Sequence, residues 1–368
     1  MAWAEAPLFT FAVLSDIQYA DKEDGHFDGR TQRFRQVPAK LKGVVDAILT
    51  EHTRLLQRGG GSGGDSGGGA AAGLDGAASG GGADGGSSDG GGGAPAGGLV
   101  AALHLGDIID GYGPDDPDHD LKSRRDLDLI LAQLDRLPAA GVPLRHVLGN
   151  HCFAVPRAEL LGRLGFPQGS SGYYSARLAP GWRLLVLDTT DISLFGHEEG
   201  SPEAAEAAAW LAAHPTPAHP NAQPWNGGVG AAQAAWLRAQ LDDVAAEGGR
   251  VVVAAHHPLA PGAAPDAYLG WGHAELRAAF EERPGVVALV LAGHYHPGGA
   301  AEVGGLHYVT CEGLLEAPPG SDAYAFVDVY HDRLSLRGRG CAASHELPLP
   351  PRPAAAAAAA AEGKERRG

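Results

Sequence analysis

Apolar residues fall along the chain in short runs separated by longer amphipathic stretches. Runs rich in β-branched residues occur at 9–14, 99–105, 144–148, 182–187, 251–255 and 286–292. Their length and composition predict buried strands, of the kind covered on both faces. Between them lie stretches of helical period. Leu41, Val44, Val45, Ile48, Leu49, Leu55 and Leu56 fall on one face at 3.6-residue spacing, and 121–137 and 231–246 repeat the pattern. Shorter strand-like runs follow at 306–310, 324–330 and 334–337. Strands that alternate with helices and end in closely spaced strands predict a layered α/β domain whose sheet becomes partly antiparallel toward the C-terminus.

Two segments fit neither period. In residues 59–98, 21 of 40 positions are Gly. Such a stretch has too little apolar surface to offset its ordering entropy, so it reads as a flexible surface insert. The tail 348–368 is Pro-rich, then Ala-rich, then charged, and reads as disordered. The expectation is one domain over 1–347, interrupted at 59–98.

Composition narrows the function classes. Net charge is -16, which leaves no broad basic face for DNA or RNA and suits carboxylates that capture cations. The three cysteines, Cys152, Cys311 and Cys341, are odd in number and widely spaced, so they form neither a disulfide framework nor a zinc pair. A reducing compartment follows as the simplest reading. No run approaches the roughly 18 apolar residues of a membrane span, and the N-terminus lacks the basic region of a secretory signal. The expectation is a cytoplasmic monomer, with no membrane and no nucleic acid among its partners.

The candidate chemistry sits where the strands stop. Ser15-Asp16-Ile17-Gln18 follows the first run and Gly106-Asp107-Ile108-Ile109-Asp110-Gly111 the second. Gly149-Asn150-His151-Cys152, His256-His257-Pro258 and Gly293-His294-Tyr295-His296 follow the third, fifth and sixth. In open α/β sheets, sites assemble at the carboxyl ends of strands. Asp, His, Asn and Gln supply oxygen and nitrogen ligands without Cys, which suits Mn, Fe or Zn. One Asp can bridge two cations, and a cation pair about 3.5–4 Å apart lowers the pKa of a shared water. The hydroxide then attacks phosphorus in line with the leaving oxygen.

Taken in order, these motifs resemble the calcineurin-like metallophosphoesterase superfamily over roughly residues 9–340. Within it, the chain is similar to the manganese-dependent ADP-ribose/CDP-alcohol diphosphatase family. The segments that carry this second resemblance are 15–21, 106–111, 149–152, Trp225-Asn226-Gly227-Gly228 with the helix holding Gln233 and Trp236, 312–318 and 330–340. The resemblance implies a four-layer αββα sandwich and two divalent ions, Mn foremost, with Fe or Zn as alternatives. It implies that Asp16 and His296 hold the first metal with Gln18 beside them. Asp107 would bridge both, and Asn150, His256 and His294 would hold the second. His151 would donate a proton to the leaving group or offer a positive charge to the phosphate. Most of the superfamily has His where Gln18 stands, and an amide oxygen there favours a harder ion such as Mn. The substrate so implied is a small-molecule nucleotide diphosphate, ADP-ribose or a CDP-alcohol such as CDP-choline or CDP-glycerol.

Other residues have blander readings. Asp110 is expected to support a ligand or cap a turn. With Trp225, Asn226 and Tyr268 it also counts among the candidate substrate contacts, although core packing would equally explain those three, with Trp271 behind them. His257 is expected to point away from its neighbour. His52, His119, His214, His219, His331 and His345 are placed on surfaces, and Cys152 is read as buried structure. Two alternatives compete with the diphosphatase. One is another metallophosphoesterase, acting on cyclic nucleotides or phosphomonoesters. The other is a non-catalytic metal-binding scaffold.

Overall fold

A computed structural model describes residues 5–59, 97–113, 115–167 and 169–352 of the chain. In its first half, β1 (Phe9–Leu14), the short ribbon β2 (Gly25–Phe27) and β3 (Arg30–Gln32), helix α1 (Val37–Gly59), β4 (Leu99–His104), α2 (His119–Leu134), α3 (Arg136–Ala139), β5 (Leu144–His146) and α4 (Arg157–Arg163) follow one another. The middle adds β6 (Tyr174–Ala179), β7 (Trp182–Val186), β8 (Ile192–Ser193), α5 (Pro202–Ala213), β9 (Gly227–Gly228), α6 (Ala231–Ala246), β10 (Arg250–Ala254) and α7 (His273–Glu281). Then come β11 (Val287–Ala292), β12 (Gly299–Val303), β13 (Leu306–Thr310), β14 (Ala323–Val329), β15 (Arg333–Gly340) and β16 (His345–Pro348).

Two six-stranded sheets result, in the orders β16-β15-β14-β1-β4-β5 and β12-β13-β11-β10-β7-β6. β1, β4 and β5 run parallel, whereas β14, β15 and β16 pair antiparallel, as the late strand runs predict. Strand alternation divides the side chains between layers. Phe9, Phe11 and Val13 of β1 face the second sheet, where they meet Trp182, Leu184, Val252 and Leu289. Ala12 and Leu14 face the other way, onto Leu41, Val44 and Ile48 of α1 and Ile130 of α2. On the far side, Leu185, Val251 and Val253 pack against Leu237 and Leu241 of α6 and Phe280 of α7. Three apolar layers separate four structural ones, and the architecture is the expected αββα sandwich. β1, β10 and β11 are buried on both faces, which is why they read as unbroken apolar runs.

Several elements differ from the sequence expectation. The helix predicted over 121–137 ends at Leu134, and α3 follows as a separate turn. Pro138 lacks an N–H and its ring would strike the carbonyl of Leu134, so the longer helix cannot continue. His52 is not on the surface. It is 3% exposed, and its Nδ1 accepts the Leu99 backbone N–H at 3.1 Å, which ties α1 to the start of β4. Order also extends past residue 347: Leu349 N donates to the Asp332 carbonyl at 2.7 Å, and Arg250 donates to the carbonyl of Pro350. The rest of the tail, and 60–96 of the Gly-rich insert, lie outside the described residues. No described helix is long and apolar enough to cross a membrane.

Candidate metal centre

Asp16, Asp107 and Asn150 follow β1, β4 and β5 of the first sheet, and His256, His294 and His296 follow β10 and β11 of the second. The loops at these strand ends are strained. Asp16 (φ 48°), Gln18 (43°), Asp107 (53°) and His294 (68°) occupy the left-handed region; among the described non-glycine residues only Asp28 joins them. Each such position costs about 1–3 kcal/mol unless its surroundings enforce it. Here they do. Gln18 N donates to the Asp107 carbonyl at 2.7 Å, and Leu314 N and Leu315 N donate to the carbonyls of Ser15 and Asp16 at 3.0 Å. Two glycines are required by close approach. A Cβ at Gly149 would strike the Asp107 carboxylate, and one at Gly293 would strike Ser15 Oγ and lie 2.7 Å from Asp16 Oδ2.

The polar atoms that converge are mostly acceptors. Asp107 Oδ1 accepts from His151 N at 2.8 Å, and Oδ2 lies 3.2 Å from His256 Nε2. His256 Nδ1 is 2.8 Å from the Leu105 carbonyl, so Nδ1 carries the proton and Nε2 turns to Asp107 and to Asn150 Oδ1 at 3.1 Å. His294 is fixed in the complementary sense. Asn226 Nδ2 donates to the carbonyls of Asn221 (3.0 Å) and Ala267 (2.7 Å), which turns its Oδ1 toward His294 Nε2 at 2.9 Å. Nε2–H therefore points to Asn226 and the Nδ1 lone pair is left free. His296 Nε2 lies 3.4 Å from Asp16 Oδ1. Ligating atoms of Asp16, Asp107 and His256 all fall within 4.8 Å of one another. Gln18 Oε1 is buried without any hydrogen-bond partner, while its Nε2 donates to Asp110 Oδ1 at 2.6 Å.

Electrostatics follow from this crowding. Burial opposes ionisation of Asp107, but His256 and His151 outweigh it and hold the carboxyl well below its usual range. Burial likewise opposes the His296 imidazolium, yet Asp16 and Glu316 lift it to about 10. His256 is raised, again by Asp107 against burial. His294, buried among other imidazoles, is pushed well below its usual value and is neutral. In the metal-free protein, protons on His256 and His296 thus compensate carboxylates that a cation could compensate instead, so binding would release protons. The donor set of carboxylates, imidazoles and amide oxygens fits a borderline-to-hard divalent cation.

The site opens into a cavity of about 520 Å³. Gln18, Asp107, Asn150, His151, His294 and His296 form one wall, and Trp225 and Tyr268 line it with Phe27 and Phe34 of the β2–β3 region. His151 stands half-exposed with Nδ1 3.1 Å from Asp110 Oδ1. Partial burial works against its charged form, but Asp107 and Asp110 raise it to about 9. Asp110 takes three donors, Gln18, His151 and Lys22. Asn226 does not line the cavity; it lies behind His294, and Trp271 is buried against Trp210. His257 is buried with its ring 4.4 Å from that of His294, but Thr189 Oγ1 (2.8 Å) and the Trp225 carbonyl (3.3 Å) engage both its nitrogens. Cys152 is fully buried and its thiol is pushed up to about 12, as befits structure. Sequence reasoning missed Lys22, Arg30 and Glu316. None of them follows a strand directly; Lys22 lies just past the first motif and Glu316 inside the 312–318 segment, where no metal-ligand pattern singles it out, and Arg30 lies in neither. A larger cavity, of about 870 Å³, is lined by Arg157, Phe153, Asp191 and Glu198 and holds none of the candidate ligands.

Two sheets that meet at their carboxyl ends around carboxylates and imidazoles define a metallophosphoesterase. Residues 93–298 match the family described as calcineurin-like phosphoesterase. A manganese-dependent ADP-ribose/CDP-alcohol diphosphatase of Oryza sativa subsp. japonica is 30% identical over 361 residues, covering 94% of this chain and 96% of its own. The protein of that name from Danio rerio is 30% identical, covering 91% of this chain and 97% of its own. Among solved structures, a dimetal phosphatase from Danio rerio superimposes with a TM-score of 0.73 at 29% identity, covering 94% of this chain and all of that one. The chain belongs to the manganese-dependent ADP-ribose/CDP-alcohol diphosphatase family of calcineurin-like phosphoesterases.

Proposed function

We propose that the protein hydrolyses the diphosphate bond of ADP-ribose and of CDP-alcohols such as CDP-choline, releasing a nucleoside monophosphate and a phosphorylated ribose or alcohol, with two Mn ions bound. The observation that carries this reading is the convergence of carboxylate and imidazole ligand atoms from both sheets, with Gln18 Oε1 buried and unpartnered beside them. Asp16, Gln18 and His296 would hold one ion, Asn150, His256 and His294 the other, and Asp107 would join the two. The ions would supply Lewis-acid activation of water and neutralise charge on the phosphoryl oxygens.

The chain's own groups do the rest. Asp110 holds His151 Nδ1 at 3.1 Å, which keeps the Nε2 proton available for the leaving oxygen. Asn226 fixes the His294 ring from behind. Trp225 and Tyr268 offer aromatic faces to a nucleobase, and the strained Asp16 and Asp107 backbones hold both carboxylates aimed before substrate arrives.

The test is product analysis. Protein stripped with chelator and reloaded with Mn, Fe, Zn or Mg is offered ADP-ribose, CDP-choline, a cyclic nucleotide and p-nitrophenyl phosphate. Mn-dependent release of AMP or CMP supports the reading. Turnover of only the last two substrates would assign a different phosphoesterase activity, and no turnover with any metal would leave a non-catalytic scaffold.

A further inference from the structure

His296 has two nitrogens with different surroundings. Nε2 faces Asp16, and Nδ1 faces Glu316 Oε1 at 3.0 Å. Both atoms are buried, and neither has another partner. The other oxygen of Glu316 accepts from Arg30 Nε at 2.7 Å. A buried carboxylate needs such compensation, and the Arg30 bond uses only half of it.

The backbone around Glu316 is pinned to the segment that carries Asp16. The turn Leu314–Glu316 donates two N–H groups, to the Ser15 and Asp16 carbonyls, and Arg33 N donates to the Leu315 carbonyl at 3.3 Å. Lys40 Nζ, from α1, donates to the Ala317 carbonyl at 2.6 Å and sits 3.4 Å from the carbonyls of Leu314 and Leu315. Gly313 N donates to the His296 carbonyl at 3.0 Å, and a Cβ on Gly313 would lie 2.8 Å from the His296 ring. The ring is thus wedged between Asp16 and this turn.

From this geometry we infer that Glu316 is a positioning residue for the metal centre, holding the Nδ1 proton of His296 so that Nε2 presents its lone pair beside Asp16. The inference rests on the proposed metal-binding role of His296. A carboxylate on the far nitrogen of a ligating imidazole fixes its tautomer, sets its plane and raises its basicity. Arg30 and Lys40 then act one step further out, by holding Glu316 and its turn.

The experiment measures Mn binding to chelator-stripped protein by calorimetry, with electron paramagnetic resonance of free Mn as the second readout. Glu316→Ala should weaken one Mn site by about 10–100-fold, and Glu316→Gln, which keeps the shape and an acceptor, by less. In a His296→Ala background, Glu316→Ala should change affinity by less than about twofold, because a residue acting through His296 has nothing left to act on. Full additivity of the two substitutions overturns the inference, as does unchanged affinity in both Glu316 variants. If Glu316→Ala does not fold, Glu316→Gln and its own cycle with His296→Ala decide the matter by the same criteria. Wild-type protein that binds no Mn overturns the metal site itself, a separate failure.

Discussion

Asp107 is the residue on which the two halves of the site depend. One oxygen caps the His151 N–H and the other faces His256, so its side chain has a single allowed setting. Its backbone is strained at φ 53°, and the missing side chain of Gly149 leaves the room its carboxylate occupies. Asp107→Asn keeps the volume and removes the charge. Turnover with saturating Mn should fall on the order of 10³-fold, since joint charge stabilisation by two cations is worth several kcal/mol. The thermal midpoint of the metal-free variant should fall, because His256 and His151 lose the carboxylate that compensates them. Asn150→Ala should likewise abolish turnover with the fold intact. Retained turnover in either purified variant would remove the assigned site.

At the scale of elements, α1 is locked to the first sheet by charge as well as by apolar packing. Glu51 on α1 accepts from Arg54 through both oxygens at 2.5 Å and from Arg337 of β15 at 2.9 Å. The Arg54 bonds, opposed by burial and aided by Arg337, hold its carboxyl at about 2, against an ordinary value of 4.5. A depressed folded value means stability that is present above pH 4.5, erodes below it and is gone by about pH 2. Glu51→Gln should therefore cost about 1–2 kcal/mol at pH 6 once solvent screening is allowed for, and almost nothing at pH 2. Urea unfolding at several pH values measures the difference; a gap that stays constant with pH would refute the ion-pair account.

The central strands and α6 were legible in the sequence because burial on both faces writes continuous apolar runs and a helix on a sheet writes a clear period. Edge strands left weaker marks. β6, β12 and β16 are half-exposed, and β8 and β9 are two residues each, so no run forms. α5 carries a Ser201 cap and Pro202 at its start, yet Ala207 is its one fully covered side chain, too little for an apolar stripe. The same logic divides the site. Metal-ligand types at strand ends are visible because a strand announces where its end lies. Glu316, which sits in a turn, and Arg30, on the small β3 strand, become part of the site only through tertiary contacts that no local pattern encodes.

Across the whole molecule, the candidate ligands are split between the sheets. Asp16, Gln18, Asp107 and Asn150 extend from the first, and His256, His294 and His296 from the second. Between the sheets lies a close-packed apolar core, whereas the rim holds carboxylates that lean on neighbouring imidazoles for compensation when no cation is present. Cations seated there would staple the two layers, and their binding energy becomes folding energy. Each site held at 100 times its Kd adds about 2.7 kcal/mol. At roughly 2–4 °C per kcal/mol for a domain of somewhat smaller size, the thermal midpoint should rise by about 5 °C or more when stripped protein is given Mn. The rise should continue with the logarithm of Mn concentration, and chelator should reverse it. Because the staple needs both sheets, His256→Ala in the second should blunt the Mn-dependent rise as much as Asn150→Ala in the first, although the two residues lie more than a hundred positions apart in the chain. A midpoint that ignores both Mn and chelator would mean that the two sheets close without a metal between them.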